Sequence, residues 1–206
     1  MMMKSITTSL LLCVAIAGCN SESQPTKENF AAAVQSSLDT RPGVCIMPPG
    51  GKLPFDMYNG QLSKYNEQKR EADTLTAVGL LKTSEVPYYL TGSTKAEPGL
   101  RYTVPDESKK FVVPGRNESF PPQFCGGKRK LQAILNWTST TSEVGARSMV
   151  TFRYTVVDVP AWVRNPALWN FFWDLKRVDQ TREDSIVLVL TKHGWKDIDE
   201  ARQDEL

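Results

Sequence analysis

Residues 147–157 read Arg-Ser-Met-Val-Thr-Phe-Arg-Tyr-Thr-Val-Val, with Val150, Phe152, Tyr154 and Val156 alternating against Thr151, Arg153 and Thr155. Successive side chains of a strand point to opposite faces, so a period of two predicts a long strand with one buried and one wet face. One-sided sheets of this kind are antiparallel. Companion strands are legible nearby: Leu131 to Trp137 (LQAILNW), Ser185 to Leu190 (SIVLVL), and a short return strand from Trp195 after the turn Lys192-His193-Gly194. Between them, Asn165-Pro166 reads as a helix cap followed by proline in the first turn, opening a short aromatic helix through Leu175. Residues 118–196 are therefore expected to form an antiparallel β domain, and 197–206 an acidic tail that frays.

Upstream the periodicity changes. Phe30, Val34 and Leu38 fall at i, i+4 and i+8, so a helix is expected from Thr26, its cap, to Leu38, ended by Pro42-Gly43. Gln61 to Val78 reads as a second helix. Leu62, Tyr65, Ala72 and Leu75 lie near one face, the charges Lys64, Glu67, Lys69, Arg70 and Glu71 cover the other, and Gly79 stands where a left-handed terminating residue belongs. Arg101 to Val104 and Lys110 to Val113 have strand character. The class is α+β, with a chain division near residue 117.

The N-terminus carries an address. Lys4 is followed by the apolar run Ile6 to Ile16, shorter than the about 20 residues a bilayer span requires. Ile16-Ala17-Gly18-Cys19 follows and resembles the lipobox of bacterial lipoproteins. That resemblance implies a signal peptide at 1–18, cleavage before Cys19, acyl chains on Cys19 and anchorage to a membrane, each buried methylene contributing roughly 0.8 kcal/mol. Asn20 rather than Asp at the next position implies the outer membrane, facing the periplasm. Residues 19–27 are polar and contain Pro25, so they are expected to act as a tether reaching on the order of 15 Å.

The run LTAVGLL, then YYLTGS, then GLRYTV within residues 28–113 resembles a winged helix, a helix followed by a two-stranded wing. In that family the helix enters the DNA major groove. Here residues 28–117 are expected to share the shape alone, because the second helix is not conspicuously basic and an extracytoplasmic protein meets no chromosome. The whole chain holds 25 basic and 23 acidic residues, which leaves no global field to recruit a nucleic acid. Lys128-Arg129-Lys130 is read as a solvated turn.

Of the four cysteines, Cys13 leaves with the signal and Cys19 is acylated, so Cys45 and Cys125 remain for an oxidising compartment. A disulfide is expected, closing a loop worth roughly 4–5 kcal/mol in the chain-entropy model. Catalytic signals are sparse. His193 is the sole histidine, and it stands in an expected turn. No GxSxG elbow, zinc-ligand spacing or glycine-rich phosphate loop occurs, Gly50-Gly51 and Gly126-Gly127 included. No cofactor or metal is implied. The acids Asp197, Asp199 and Glu200 are read as solvated. The aromatic cluster Trp162, Trp169, Phe171, Phe172 and Trp173 exceeds what one face of a short helix can bury. Trp162 and Trp169 are expected to pack on the strand of Phe152 and Tyr154, leaving Phe171, Phe172 or Trp173 as a partner surface. The reading is a non-enzymatic envelope lipoprotein that binds a protein partner. A carboxylate-type envelope hydrolase and an inhibitor or immunity protein are the alternatives.

Overall fold

The alternating run at 147–157 forms a strand inside a large antiparallel sheet. The computed structural model describes residues 21–60, 66–115 and 120–204. The expected signal peptide, Cys19, and Leu62 and Tyr65 of the second helix lie outside those residues. The elements are α1 (Lys27–Asp39), β1 (Pro42–Ile46), β2 (Phe55–Tyr58), α2 (Asn66–Ala77), β3 (Lys82–Tyr89), β4 (Ala96–Thr103), β5 (Val112–Val113), β6 (Gln123–Trp137), β7 (Arg147–Val157), β8 (Arg182–Thr191), β9 (Gly194–Asp197) and α3 (Ile198–Asp204). Among the described residues the strands make two antiparallel sheets, ordered β1-β6-β7-β8-β9, with β5 also on β6, and β2-β4-β3. The α+β class and the antiparallel sheet are as expected.

The large sheet is dry on one face. Val150, Phe152, Tyr154 and Val156 of β7 are buried, and Met149 and Arg153 on the other face are exposed. Helix α1 covers part of the dry face with Phe30, Ala33, Val34, Ser37 and Leu38, a stripe at i, i+3, i+4, i+7 and i+8. Thr26 caps it as expected, its Oγ1 accepting from the Asn29 N–H at 3.2 Å. Phe30 meets Trp195 and Trp137 edge-on, with ring centroids 4.9 and 5.7 Å away. Burying a side chain of this size stabilises by about 1.5–3 kcal/mol.

The division near residue 117 is not where the chain divides. β1 pairs with β6, so the large sheet draws on both sides of that point. Cys45 and Cys125 stand directly opposite each other in this pairing, Cα atoms 4.1 Å apart, and are disulfide-bonded across 80 positions of sequence. The chain leaves the large sheet at Ile46, builds β2, α2, β3 and β4, and returns at Val112 with β5 before entering β6. Residues 28–117 are therefore not one winged-helix-like unit. The hairpin β3–β4 does follow α2, and Gly79 takes φ 81° at its end. The first helix, however, lies on the large sheet against β6, β8 and β9. A buried stripe on α1 is matched by the open dry face of that sheet, and this match outweighs sequence proximity.

Other expectations fail locally. Lys128-Arg129-Lys130 is no turn: it lies within β6, paired to β7, with the Arg129 guanidinium 5.5 Å from the Tyr154 ring centroid. Of the strand expected at Lys110 to Val113 only β5 exists, following a 3-10 turn over Asp106–Phe111. Residues 21–27 are no loose tether: Ser21–Ser23 forms a 3-10 turn against β9, and the Trp195 Nε1–H donates to the Gln24 carbonyl at 3.3 Å. The acidic tail is also no frayed end. Asp197 closes β9, is only 2% exposed, and accepts from Ser37 Oγ at 2.7 Å and from Arg41 Nη2 at 2.6 Å. Its other oxygen accepts from the Asp199 N–H at 3.0 Å and so caps α3.

Glycines at 43 and 126 serve close approach. A β-carbon at Gly43 would sit 2.6 Å from Val156 Cγ1 and 2.7 Å from the Gly126 carbonyl, and one at Gly126 would strike Pro160. Bringing β1 against β6 beneath Trp162 thus requires both.

Asp197→Ala should cost about 3 kcal/mol, since it orphans a buried hydroxyl and a partly buried guanidinium and uncaps α3. Asp199→Ala, at an exposed site, should cost less than about 0.5 kcal/mol. Urea unfolding of both variants checks the contrast; equal losses would show that Asp197 anchors nothing.

Candidate functional site

The aromatic segment between β7 and β8 is the surface the sequence singles out. It is not one α-helix. Three 3-10 turns, Ala161–Arg164, Pro166–Asn170 and Trp173–Arg177, follow each other, and Phe172 breaks between the last two with φ −127° and ψ 84°. Asn165 caps as expected, its Oδ1 accepting from the Ala167 N–H at 3.0 Å, with Pro166 behind it. A lone helix this short is marginal in water, so tertiary packing decides its form.

That packing covers the β1 end of the large sheet, on the side of Gly126. Trp162, Val163, Leu168, Leu175 and Val178 are buried beside Val44, Phe124 and Val156, and they join a core that includes Ala72, Leu75 and Tyr102 of the insertion. Trp162 is 6% exposed as expected, but its neighbour is Phe111, edge-on at 6.0 Å. Phe152 and Tyr154 belong instead to the cluster beneath α1. The expected packing of Trp162 and Trp169 on that strand is therefore corrected. Trp162 Nε1–H is buried with no acceptor among the described residues. Trp169 is half-buried, its Nε1–H directed at the Val163 carbonyl 3.4 Å away.

The three partner-surface candidates separate. Phe172 packs against the core, and Phe171 is half-buried with its ring 6.5 Å from that of Phe172. Trp173 is 64% exposed, with Lys176 Nζ 5.0 Å from its ring centroid. The break at Phe172 is why: it ends one 3-10 turn and starts another, so Trp173 does not stack over Trp169 as it would one turn along a continuous helix. Around this pole stand Arg177, bonded to Gln180, and Arg164, paired with Asp179 at 2.7 Å, which lowers the Asp179 carboxyl.

Among the described residues no group of three or more His, Cys, Asp or Glu is placed to hold a metal ion. His193 is exposed in the β8–β9 turn, where its N–H donates to Thr191 Oγ1 at 3.1 Å. Asp197, Asp199 and Glu200 do not act as a solvated trio, because the first is the buried anchor described above. One carboxyl on the charged face of α2 stands apart. Glu71 is half-buried on α2, the helix that packs on the Pro166–Asn170 turn. Burial first, and the charge of Glu67 one helical turn away second, push it up to about 7. Its period-3.6 position beside Leu75 was the available signal. No family model, curated protein or solved structure matched the chain in comparisons with each.

Trp162→Ala should lower stability by about 3–5 kcal/mol and Trp173→Ala by less than about 0.5 kcal/mol. Thermal unfolding of the pair checks this, and equal losses would remove Trp173 as a free surface.

Glu71 carries a pH signature. Its folded value lies above its ordinary 4.5, so the folded protein holds this proton more tightly. The stability it contributes is full below about 4.5 and is lost as pH rises through about 7. Glu71→Gln should therefore be more stable than the parent at pH 8 by about 1–2 kcal/mol, after allowance for solvent screening at a half-exposed site. The two should converge in acid; a constant difference across pH in chemical denaturation would refute the assignment.

Proposed function

We propose that this chain is a lipid-anchored protein of the bacterial cell envelope that acts by binding a protein partner. The observation that carries the anchor is the run Ile16-Ala17-Gly18-Cys19 behind a basic residue and a short apolar segment. The Cys45–Cys125 bond supports the same address, because disulfides persist in oxidising compartments such as the periplasm. Asn20 favours the outer membrane. No helix among the described residues is long and apolar enough to cross a membrane, so lipid on Cys19 is the means of attachment in this reading. Partner binding is supported by Trp173, exposed beside Lys176 on turns where Trp162, Leu168 and Leu175 are buried and Trp169 and Phe172 pack against the core.

A second reading, a carboxylate-type envelope hydrolase, is favoured by Glu71, which titrates near 7, where a general acid works best. Turnover of peptidoglycan fragments that disappears in a folded Glu71→Gln variant would select it over the binding role.

Cys19→Ser should abolish incorporation of labelled palmitate and leave the protein uncleaved or soluble. Membrane-bound, palmitate-labelled Cys19→Ser protein would overturn the anchor.

A further inference from the structure

We propose that the β8–β9 turn and the loop before β7 rest on the bilayer headgroups, so that the protein stands upright and presents its Trp173 pole away from the membrane. This rests on acylation of Cys19 and adds an orientation to it.

The argument begins with where the chain is tied down. Cys19 precedes Ser21 by two residues, and two residues of fully extended chain span at most about 7 Å. From Ser21 onward the chain is docked. The Ser21–Ser23 turn lies on β9, and Glu22 sits so close that a β-carbon on Gly194 would be 3.7 Å from its own. Gln24 is held from three sides: its carbonyl accepts from Trp195 Nε1 at 3.3 Å and from Asn29 Nδ2 at 2.9 Å, and its Oε1 accepts from Ser142 Oγ at 3.3 Å. Acyl chains on Cys19 therefore leave the protein beside the β8–β9 turn and the loop containing Ser142. Chains buried in hydrocarbon bring that end of the molecule to the headgroups.

The surface there suits an interface. Val144 is 64% exposed at the loop tip, and it shares a cleft of about 380 Å³ with Lys192 and His193. An exposed aliphatic side chain beside a lysine pairs an apolar body with a head for lipid phosphates. Glu22 and Glu143 stand at the same end, so acylation rather than net charge sets the contact.

The far end follows from β8. That strand runs from Arg182 to Thr191, about 30 Å at 3.3 Å per residue. Its last residue opens the turn with His193, and its first donates through Nη2 to the Asp174 carbonyl at 3.4 Å. Trp173 thus lies a full strand length from the lipid exit.

Lysine footprinting tests the orientation. Acylated full-length protein on vesicles of phosphatidylethanolamine and phosphatidylglycerol is compared with soluble Cys19→Ser protein, each treated with an amine-acetylating reagent and mapped by mass spectrometry. The expected result is a several-fold fall in modification of Lys192 on vesicles, with Lys176 beside Trp173 unchanged. Amide exchange over 142–146 and 191–194 should slow on vesicles in parallel. Palmitate present with Lys176 protected, or with neither lysine protected, overturns the orientation and leaves the anchor standing. Palmitate absent overturns both.

Discussion

A sheet with one wet face is stable only if its other face is covered, and everything else in this molecule answers that requirement. One short helix does not cover the whole sheet. Helix α1 takes the part nearer β9, where Phe30, Val34 and Leu38 meet Phe152, Leu188 and Trp195. The aromatic turns after β7 cover the β1 end of the sheet, where Trp162, Leu168 and Leu175 join Val44, Phe124 and Val156 in one core cluster. The buried carboxylate of Asp197 fastens the first cover at its edge, accepting from Ser37 of α1 and from Arg41 just beyond it while it closes β9 and caps α3.

The second cover has a price in topology. β1 and β6 are neighbours in space, but β2, α2, β3 and β4 intervene in sequence, and the disulfide bonds the two strands at the root of that insertion. The excursion is integrated rather than appended, since Ala72, Leu75 and Tyr102 belong to the core that buries Trp162. Tyr102 also donates to Asp73 at 2.8 Å, which ties β4 to α2 and raises the phenol above its ordinary range through burial and that bond.

Legibility in the sequence follows the range of each interaction. The period of two in β7, the Thr26 cap, the stripe on α1 and the Gly79 stop rest on residues within a few positions of one another, and each was readable. The β1–β6 pairing joins residues 80 apart, so local sequence misplaces the domain division even though the cysteine pair is legible. Gly126-Gly127 lacks phosphate-loop spacing in the sequence; its close-packing role needs Pro160 and Trp162 in place. Asp197 looked like a tail residue because its partners, Ser37 and Arg41, lie in the first quarter of the chain. The aromatic segment was readable in composition but not in form, since the break at Phe172 follows from the core it fills.

That break also determines what the surface can do. Had the segment been a continuous helix, Trp169 and Trp173 would share a stripe and both would lie against the core. Separate 3-10 turns bury Leu168 and Leu175 while swinging Trp173 outward. In the proposed orientation the ring is carried on β8, a strand paired to β7 over Arg182–Val189 and to β9 over Leu188–Thr191. Such a strand keeps its extended length while its ladder is intact. The distance between the lipid-facing turn and the exposed tryptophan is then a property of the sheet. A partner would meet Trp173 about 30 Å above the bilayer, a height that the docked Gln24 segment leaves little freedom to vary.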